Sequence, residues 1–397
     1  MSPTTVAEHR QRVAELVGLM PVLQLPLDEC LGLVLAADVI APVSLPPFDN
    51  SAMDGYAVRA ADLAQVPVQL PVADDIPAGR TDIKPLEPGT VQRIMTGAPV
   101  PPGADAVVQV EWTDGGTETV TINQAVQAGA NIRTAGDDVV KGDAVLVAGT
   151  VLRPSTLGLA SALGHPELPV RRRPRVLVLS TGSELVEPGK PLQHGQIYES
   201  NGMMLASSVR EAGGIAVQLR FVPDDVEAFH RALAPYLGSV DVIMTSGGVS
   251  AGAYEVVKDA LASHDVRFTK VAMQPGGPQG AGTYEGLPVL ALPGNPVSAH
   301  VSFEVFVRPA LLASMGHTQV ERPTARATVT TSLTSPAGKT QFRRGAYDPT
   351  SGQVVTPVGG PGSHLLSALA LSNCLIEVPE DVTELAAGAE VTVRHLQ

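Results

Sequence analysis

From Val240 to Lys258 the chain reads V-D-V-I-M-T-S-G-G-V-S-A-G-A-Y-E-V-V-K. The apolar run Val240 to Met244 has the character of a buried parallel strand. Ser246, Gly247, Gly248, Ser250 and Gly252 follow closely, and glycine lets a backbone turn sharply and approach a ligand. Val256, Ala260 and Leu261 then fall at helical spacing. This order of strand, glycine-rich turn and helix restricts the fold more than any other feature of the chain. A helix start offers free N–H groups and partial positive charge to a phosphate or another oxyanion. The same residues also fit a tight loop with no ligand.

The pattern recurs along the chain. From Arg175 onward strand-like and helix-like segments alternate, which is the mark of a doubly wound α/β domain. Val176 to Leu179 runs into Ser180-Thr181-Gly182-Ser183-Glu184, and Val289 to Leu292 into Pro293-Gly294-Asn295-Pro296. Asn201 is read as the cap of a helix ending at Gly213-Gly214, and Val217 to Val222 as a strand. Asp224 with Glu227 forms a capping box for a helix with Val226, Phe229, Leu233 and Leu237 on one face. Val266 to Met273 reads as one strand leading to Gln274-Pro275-Gly276-Gly277-Pro278, and Ser298 as the cap of a helix towards Met315. The carboxyl ends of parallel strands share one sheet edge, where ligands bind. Three glycine-rich turns there, after Leu179, Met244 and Leu292, point to a ligand cleft.

The flanking regions read differently. Thr5-x-x-Glu8 is a capping box, followed by the helical face Val6, Val13, Leu16, Val17 and Met20 and a stop at Pro21. Asp28 reads as the cap of a short second helix. In Leu45 to Arg59, L-P-P-F-D-N-S-A-M-D-G-Y-A-V-R, two prolines fix an extended backbone. Asp54-Gly55 there is either a hairpin turn or part of a rigid loop presenting a carboxylate to a metal or substrate. Short β-type runs with Gly/Pro/Asp turns continue to Leu152 and include Ile94 to Asp105, with Thr96-Gly97, and the turn Asn131 to Asp138. Pro154 opens a helix with Gly164 just beyond it. Arg171-Arg172-Arg173-Pro174 reads as a solvated linker. After Arg322 the runs Ala327–Leu333, Val354–Val358, Cys374–Val378 and Glu390–Val393 suggest a small barrel or sandwich, with Phe342-Arg343-Arg344-Gly345 and Ser363-His364-Leu365-Leu366-Ser367 between strands.

Composition narrows the function. There are 27 Lys plus Arg against 40 Asp plus Glu, and a net charge of −13 speaks against a nucleic-acid or anionic-membrane partner. The two cysteines, Cys30 and Cys374, lie far apart, without a metal motif or disulfide framework. The histidines show no metal or triad spacing and read as structural. The N-terminus shows no apolar signal segment, and no run approaches the roughly 20 residues of a membrane span. The expectation is a cytoplasmic protein.

The segment Pro46-Pro47-Phe48-Asp49-Asn50-Ser51-Ala52-Met53-Asp54-Gly55-Tyr56-Ala57 resembles the hallmark of the MoeA family. These are the molybdopterin molybdenumtransferases, related to the E domain of gephyrin. Ile94 to Ala106, Ser180 to Leu185, Gly247 to Gly252 and Leu292 to Ser298 are similar to the family's further motifs, in its order. The resemblance implies a multidomain α/β plus β protein. A central doubly wound, MogA-like molybdopterin-binding α/β domain (171–318) joins an N-terminal helical linker domain (1–44 and 140–170), a β domain (45–139) and a C-terminal small β-barrel (319–397). It implies that molybdenum from molybdate is inserted into adenylylated molybdopterin with Mg²⁺ and release of AMP, the last step of molybdenum cofactor synthesis. It further implies a homodimer with the site between the α/β domain of one subunit and the β domain of the other. A molybdopterin adenylyltransferase and molybdoenzymes are further candidate partners.

Carried over by position, Asp54, Asp138, Glu184 and Asp224 are the catalytic carboxylates, with Glu184 and Asp224 as metal ligands. Thr96, Ser180, Thr181, Gly182, Ser246, Gly247, Gly248, Ser250, Gly252, Glu255, Lys270, Gln274, Pro293, Gly294 and Pro296 bind substrate. Carboxylates suit Mg²⁺ on a pyrophosphate, and glycine turns and a lysine suit phosphate and molybdate. The chain departs from the family at Ser183 and Ala253. Gln274 and Gly277 also stand where the family often has lysines. A non-catalytic gephyrin-like scaffold, a low-activity paralogue and an adenylyltransferase-type relative are the competing readings.

Overall fold

The computed structural model describes residues 3–222, 225–249 and 256–396. The chain divides into two compact units, residues 1–23, 32–36 and 169–397 in one and 24–31 and 37–168 in the other.

The larger unit is built on a six-stranded sheet. Strands Ile215–Val222, Arg175–Thr181, Val242–Ser246 and Leu287–Leu292 lie side by side and parallel. Pro278–Tyr284 and Val266–Lys270 extend the sheet antiparallel. Side chains alternate across a strand. Val176, Val178, Val242, Met244, Leu290 and Leu292 therefore enter one apolar core, and Leu177, Leu179, Ile243, Val289 and Ala291 the other. Burial on both faces explains the continuous apolar runs in the sequence. The first helix, Val6–Val17, belongs to this unit and adds Val13 and Val17 to the first core.

Several local expectations are revised. The capping box Thr5/Glu8 forms, but the helix ends at Val17 because Gly18 turns left-handed at φ +61°, before Pro21. Asp28 lies inside a short 3-10 turn, Leu27–Glu29, and caps nothing. The helix Val226–Leu233 is capped by Asp225, whose side chain accepts from Ala228 N at 2.7 Å; Asp224 lies outside the described residues. Asn295, not Ser298, precedes the helix Pro296–Ser302. The arginine run is not a solvated linker. Arg172 forms a paired contact with Asp241 at 2.7 and 2.5 Å, Arg171 donates to the Met20 carbonyl, and Arg173 to that of Gly213.

The segment 266–273 is not one strand. It stops at Lys270, and Met273–Gln274 instead pairs with Thr340–Asp348, placing Gln274 opposite Gln341. Pro278–Tyr284 was concealed as a strand by its glycines. Thr340–Asp348, which contains Phe342 to Gly345, was concealed by Arg343 and Arg344, which break the apolar alternation. This strand closes a five-stranded barrel with Val354–Pro357, Thr324–Val329, Glu390–His395 and Cys374–Val378.

In the second unit, Gly55–Val58 is an inner strand of a five-stranded sheet and pairs with Val91–Ile94 and Ala106–Gln109. It does not pair with Asn50–Ser51, which joins Ile132–Arg133. Asp54-Gly55 is therefore not a hairpin turn. Among the described residues no helix is long and apolar enough to cross a membrane.

Candidate functional site

The three glycine turns emerge from adjacent parallel strands, those ending at Thr181, Ser246 and Leu292. They form one wall of a cleft of about 1030 Å³. Gln274 to Gly276 and the loop Pro361 to His364 form the rest of its border with Ile197 to Asn201. Ser180, Thr181 and Ser246 are buried at the strand ends, so their hydroxyls belong to the cleft floor.

Asn201 ties the turns together. Its side-chain nitrogen donates to Ser246 Oγ at 2.8 Å and to the Gly294 carbonyl at 2.6 Å. The side chain expected to cap the helix Asn201–Glu211 is engaged across the loops. Glu199 takes over at the helix start by accepting from Gly202 N at 2.6 Å. The turn after Ser246 requires glycine at position 248. There φ is +71°, and a Cβ would lie 2.5 Å from the Val257 side chain. Gly182 has φ +149°, a backbone conformation that side chains rarely adopt, and the Glu184 carboxylate is folded back over it. Glu184 itself is exposed, lines the cleft, and has no side-chain partner among the described residues.

Among the described residues no Lys or Arg lines this cleft. Gln274 does, and its side-chain oxygen accepts from Gln341 at 2.8 Å, which leaves its NH₂ group free to face a ligand. Arg343 and Arg344 are buried without a carboxylate partner among the described residues, and burial lowers both pKa values. They bond to the carbonyls of Gly359 and Gly360, at the root of the loop that carries His364.

A second group of candidate residues lies in the smaller unit. The loop 45–54 is bound to the turn 95–99 through Ser51 N to Ala98 O at 3.0 Å and Gly97 N to Ser51 O at 2.8 Å. It is bound to the turn 131–138 through Ala52 N to Asn131 O and Ala135 N to Asp49 Oδ1. Asp54 is held by Thr96, whose N–H and hydroxyl both donate to Oδ1, at 2.6 and 2.7 Å. These bonds, the backbone one foremost, hold the Asp54 carboxyl below its ordinary pKa. Asp138 is exposed on the same assembly of loops.

Family models match in sequence along the chain: the MoeA N-terminal region (domains I and II) at residues 4–164, a probable molybdopterin binding domain at 177–313, and the MoeA C-terminal region (domain IV) at 326–396. Molybdopterin molybdenumtransferase 2 of Mycobacterium tuberculosis is 55% identical over 99% of both chains. The chain belongs to the MoeA family. Molybdopterin molybdenumtransferase of Haemophilus influenzae is 40% identical, with 93% of this chain and 92% of that protein covered. The crystal structure of the molybdopterin biosynthesis MoeA protein from Pyrococcus horikosii superposes with a TM-score of 0.86 at 30% identity, covering 100% of both chains.

The MoeA motifs thus divide between two places. Ser180, Thr181, Gly182, Glu184, Ser246, Gly247, Gly248, Gln274, Pro293, Gly294 and Pro296 line the cleft. Asp54, Thr96 and Asp138 lie in the other unit. Lys270 ends its strand exposed and does not line the cleft. Asp224, Ser250, Gly252 and Glu255 lie outside the described residues. Sequence reasoning missed Glu199, took Asn201 for a cap, and did not foresee that the 361–364 loop borders the cleft. A polar pair directly before a helix, in a domain with three ligand turns, was the only available signal.

Proposed function

We propose that this chain inserts molybdenum from molybdate into adenylylated molybdopterin, releasing AMP, in the synthesis of the molybdenum cofactor. The observation that carries this reading is the cleft over three strand ends, with Glu184 free at its edge, in a chain like the named molybdenumtransferases over its full length. The hydroxyls of Thr181 and Ser246 and the glycine turns would hold the pyrophosphate. Glu184 would hold Mg²⁺, which takes oxygen donors and uses one or two carboxylates plus substrate phosphates. That demand fits the free Glu184 carboxylate at the cleft edge, among hydroxyls. When bound, the ion neutralises charge developing on the leaving phosphate. Asp224 is the proposed second ligand.

The same reading includes a cytoplasmic homodimer in which Asp54 and Asp138 of one chain complete the cleft of the other. A molybdopterin adenylyltransferase supplies the substrate, and molybdoenzymes receive the product. It also includes the four domains expected above.

The test is turnover of adenylylated molybdopterin with molybdate and Mg²⁺, read as AMP release. Glu184→Gln is close to isosteric and removes only the charge, so it should leave thermal unfolding unchanged and reduce turnover at least ~100-fold. Wild-type turnover in this variant would remove Glu184 from the mechanism.

A further inference from the structure

Glu199 is a cleft carboxylate for which the proposed function has no task. It stands between the short strand Ile197–Tyr198 and the helix Asn201–Glu211, and only 7% of it is exposed. Its Oε1 accepts twice, from Gly202 N at 2.6 Å and from the Ser180 hydroxyl at 2.9 Å. Its Oε2 accepts nothing among the described residues, yet it is not sealed off, and Glu199 lines the cleft. Among the described residues no Lys or Arg lines the cleft to pair with it. A carboxylate removed this far from water needs donors for its remaining lone pairs. A ligand in the cleft is placed to bring them. Because the Ser180 proton points at Glu199, Ser180 also shows the cleft lone pairs, so this end of the floor accepts hydrogen bonds.

Tyr198 stands next to it in the chain and lines the same cleft with 45% of its surface exposed. Its hydroxyl donates to the Lys190 carbonyl at 2.9 Å, which fixes the ring from its tip and leaves the ring faces unused by that bond. A fixed aromatic ring beside an open carboxylate oxygen suits a flat heterocycle with N–H groups on one edge. It does not suit a phosphate, which the carboxylate repels.

We propose that Glu199 and Tyr198 hold the pterin end of the substrate. Oε2 accepts from the 2-amino and ring N–H edge, and the tyrosine ring packs along the bicycle. This rests on the reading that the substrate is a molybdopterin, and it fixes which end of that molecule meets which end of the cleft.

The test combines turnover with a pair of probes, 6-hydroxymethylpterin and its 2,4-dioxo counterpart, which has an oxygen acceptor where the pterin has the amino group. Binding is followed by their fluorescence. The wild-type protein should prefer the pterin. Glu199→Gln keeps an oxygen for Gly202 N and Ser180 but places an NH₂ group at Oε2. It should weaken the pterin roughly tenfold or more and shift preference towards the dioxo compound. In turnover the KM for adenylylated molybdopterin should rise by a similar factor, with kcat little changed. AMP binding should be unaffected. A merely structural role for Glu199 would weaken both probes alike. If Glu199→Gln does not fold, Tyr198→Leu carries the test and should weaken both probes while sparing AMP. An unchanged pterin preference in Glu199→Gln, an absence of preference in the wild type, or a loss confined to AMP or Mg²⁺ binding overturns the proposal. A wild-type protein that binds the pterin but never releases AMP would instead overturn the proposed function.

Discussion

The replacement Gln274→Lys tests how a cleft lined by no Lys or Arg among the described residues handles molybdate, a dianion. Gln274 Oε1 accepts from Gln341, which is 2% exposed and has its own side-chain oxygen buried without a partner. A lysine at 274 removes that acceptor. Turning the Gln341 amide end for end gives the new ammonium an oxygen but turns the NH₂ group to the buried side, where no acceptor is found among the described residues. The exchange should therefore cost roughly 1–3 kcal/mol of stability. The gain on molybdate follows from the donor's charge. The glutamine bond to molybdate is already made to an anion, so what lysine adds is Coulomb attraction, about 1 kcal/mol per unit of molybdate charge at about 4 Å in water. That corresponds to roughly a tenfold fall in the molybdate concentration giving half-maximal turnover. The assay is the initial rate of AMP release against molybdate at fixed adenylylated molybdopterin and Mg²⁺, repeated at high salt, where an added charge near solvent loses part of its effect. The KM for the pterin substrate should stay as it is. If Gln274→Lys leaves the molybdate dependence unchanged, position 274 is not part of the oxyanion pocket, and Arg343 and Arg344 behind the 361–364 loop become the next residues to test.

Three further outcomes are expected. Thr96→Ala removes one of the two bonds that keep Asp54 ionised to low pH. The Asp54 pKa should rise, and the acid limb of kcat/KM should move to higher pH; an unmoved limb would show that Asp54 ionisation does not control the rate. Burial alone would raise the pKa of Asp241, but Arg172 and the Arg175 N–H outweigh it and hold the carboxyl below its ordinary 3.8. The stability it contributes is present above that value and lost as pH falls through the lower folded one. Asp241→Asn should cost roughly 2–3 kcal/mol in urea unfolding at neutral pH, with the deficit closing in acid. An equal deficit at all pH values would assign it to packing. Finally, Asp54→Asn and Glu184→Gln chains, each inactive alone, should regain activity when mixed, because one hybrid site would be intact. No recovery after verified subunit exchange would count against a shared site.

The amino-acid sequence alone determined the strand, turn and helix units, because each is written within some twenty consecutive residues. Unbroken apolar runs require burial on both sheet faces, and glycines at the strand ends require sharp turns. It also determined the family, through the long block from Pro46 to Ala57 and the motifs after it. Tertiary structure decided which polar side chain serves which partner. Asn201 looks like a cap locally, but its amide is bound to residues 45 and 93 positions away. Glu199 then supplies the helix start, a substitution no local propensity indicates. Asp54-Gly55 has the composition of a hairpin turn. The strand after it instead pairs with Ala106–Gln109, so the carboxylate is held by Thr96, 42 positions on. Arg343 and Arg344 read as loop residues because charge rarely lies in a closed barrel, and only the pairing with Cys374–Val378 places them in a strand. Secondary structure follows from the chemistry of neighbours in the chain, whereas the hydrogen bonds of a cleft are made between loops whose meeting depends on the packing of the whole sheet.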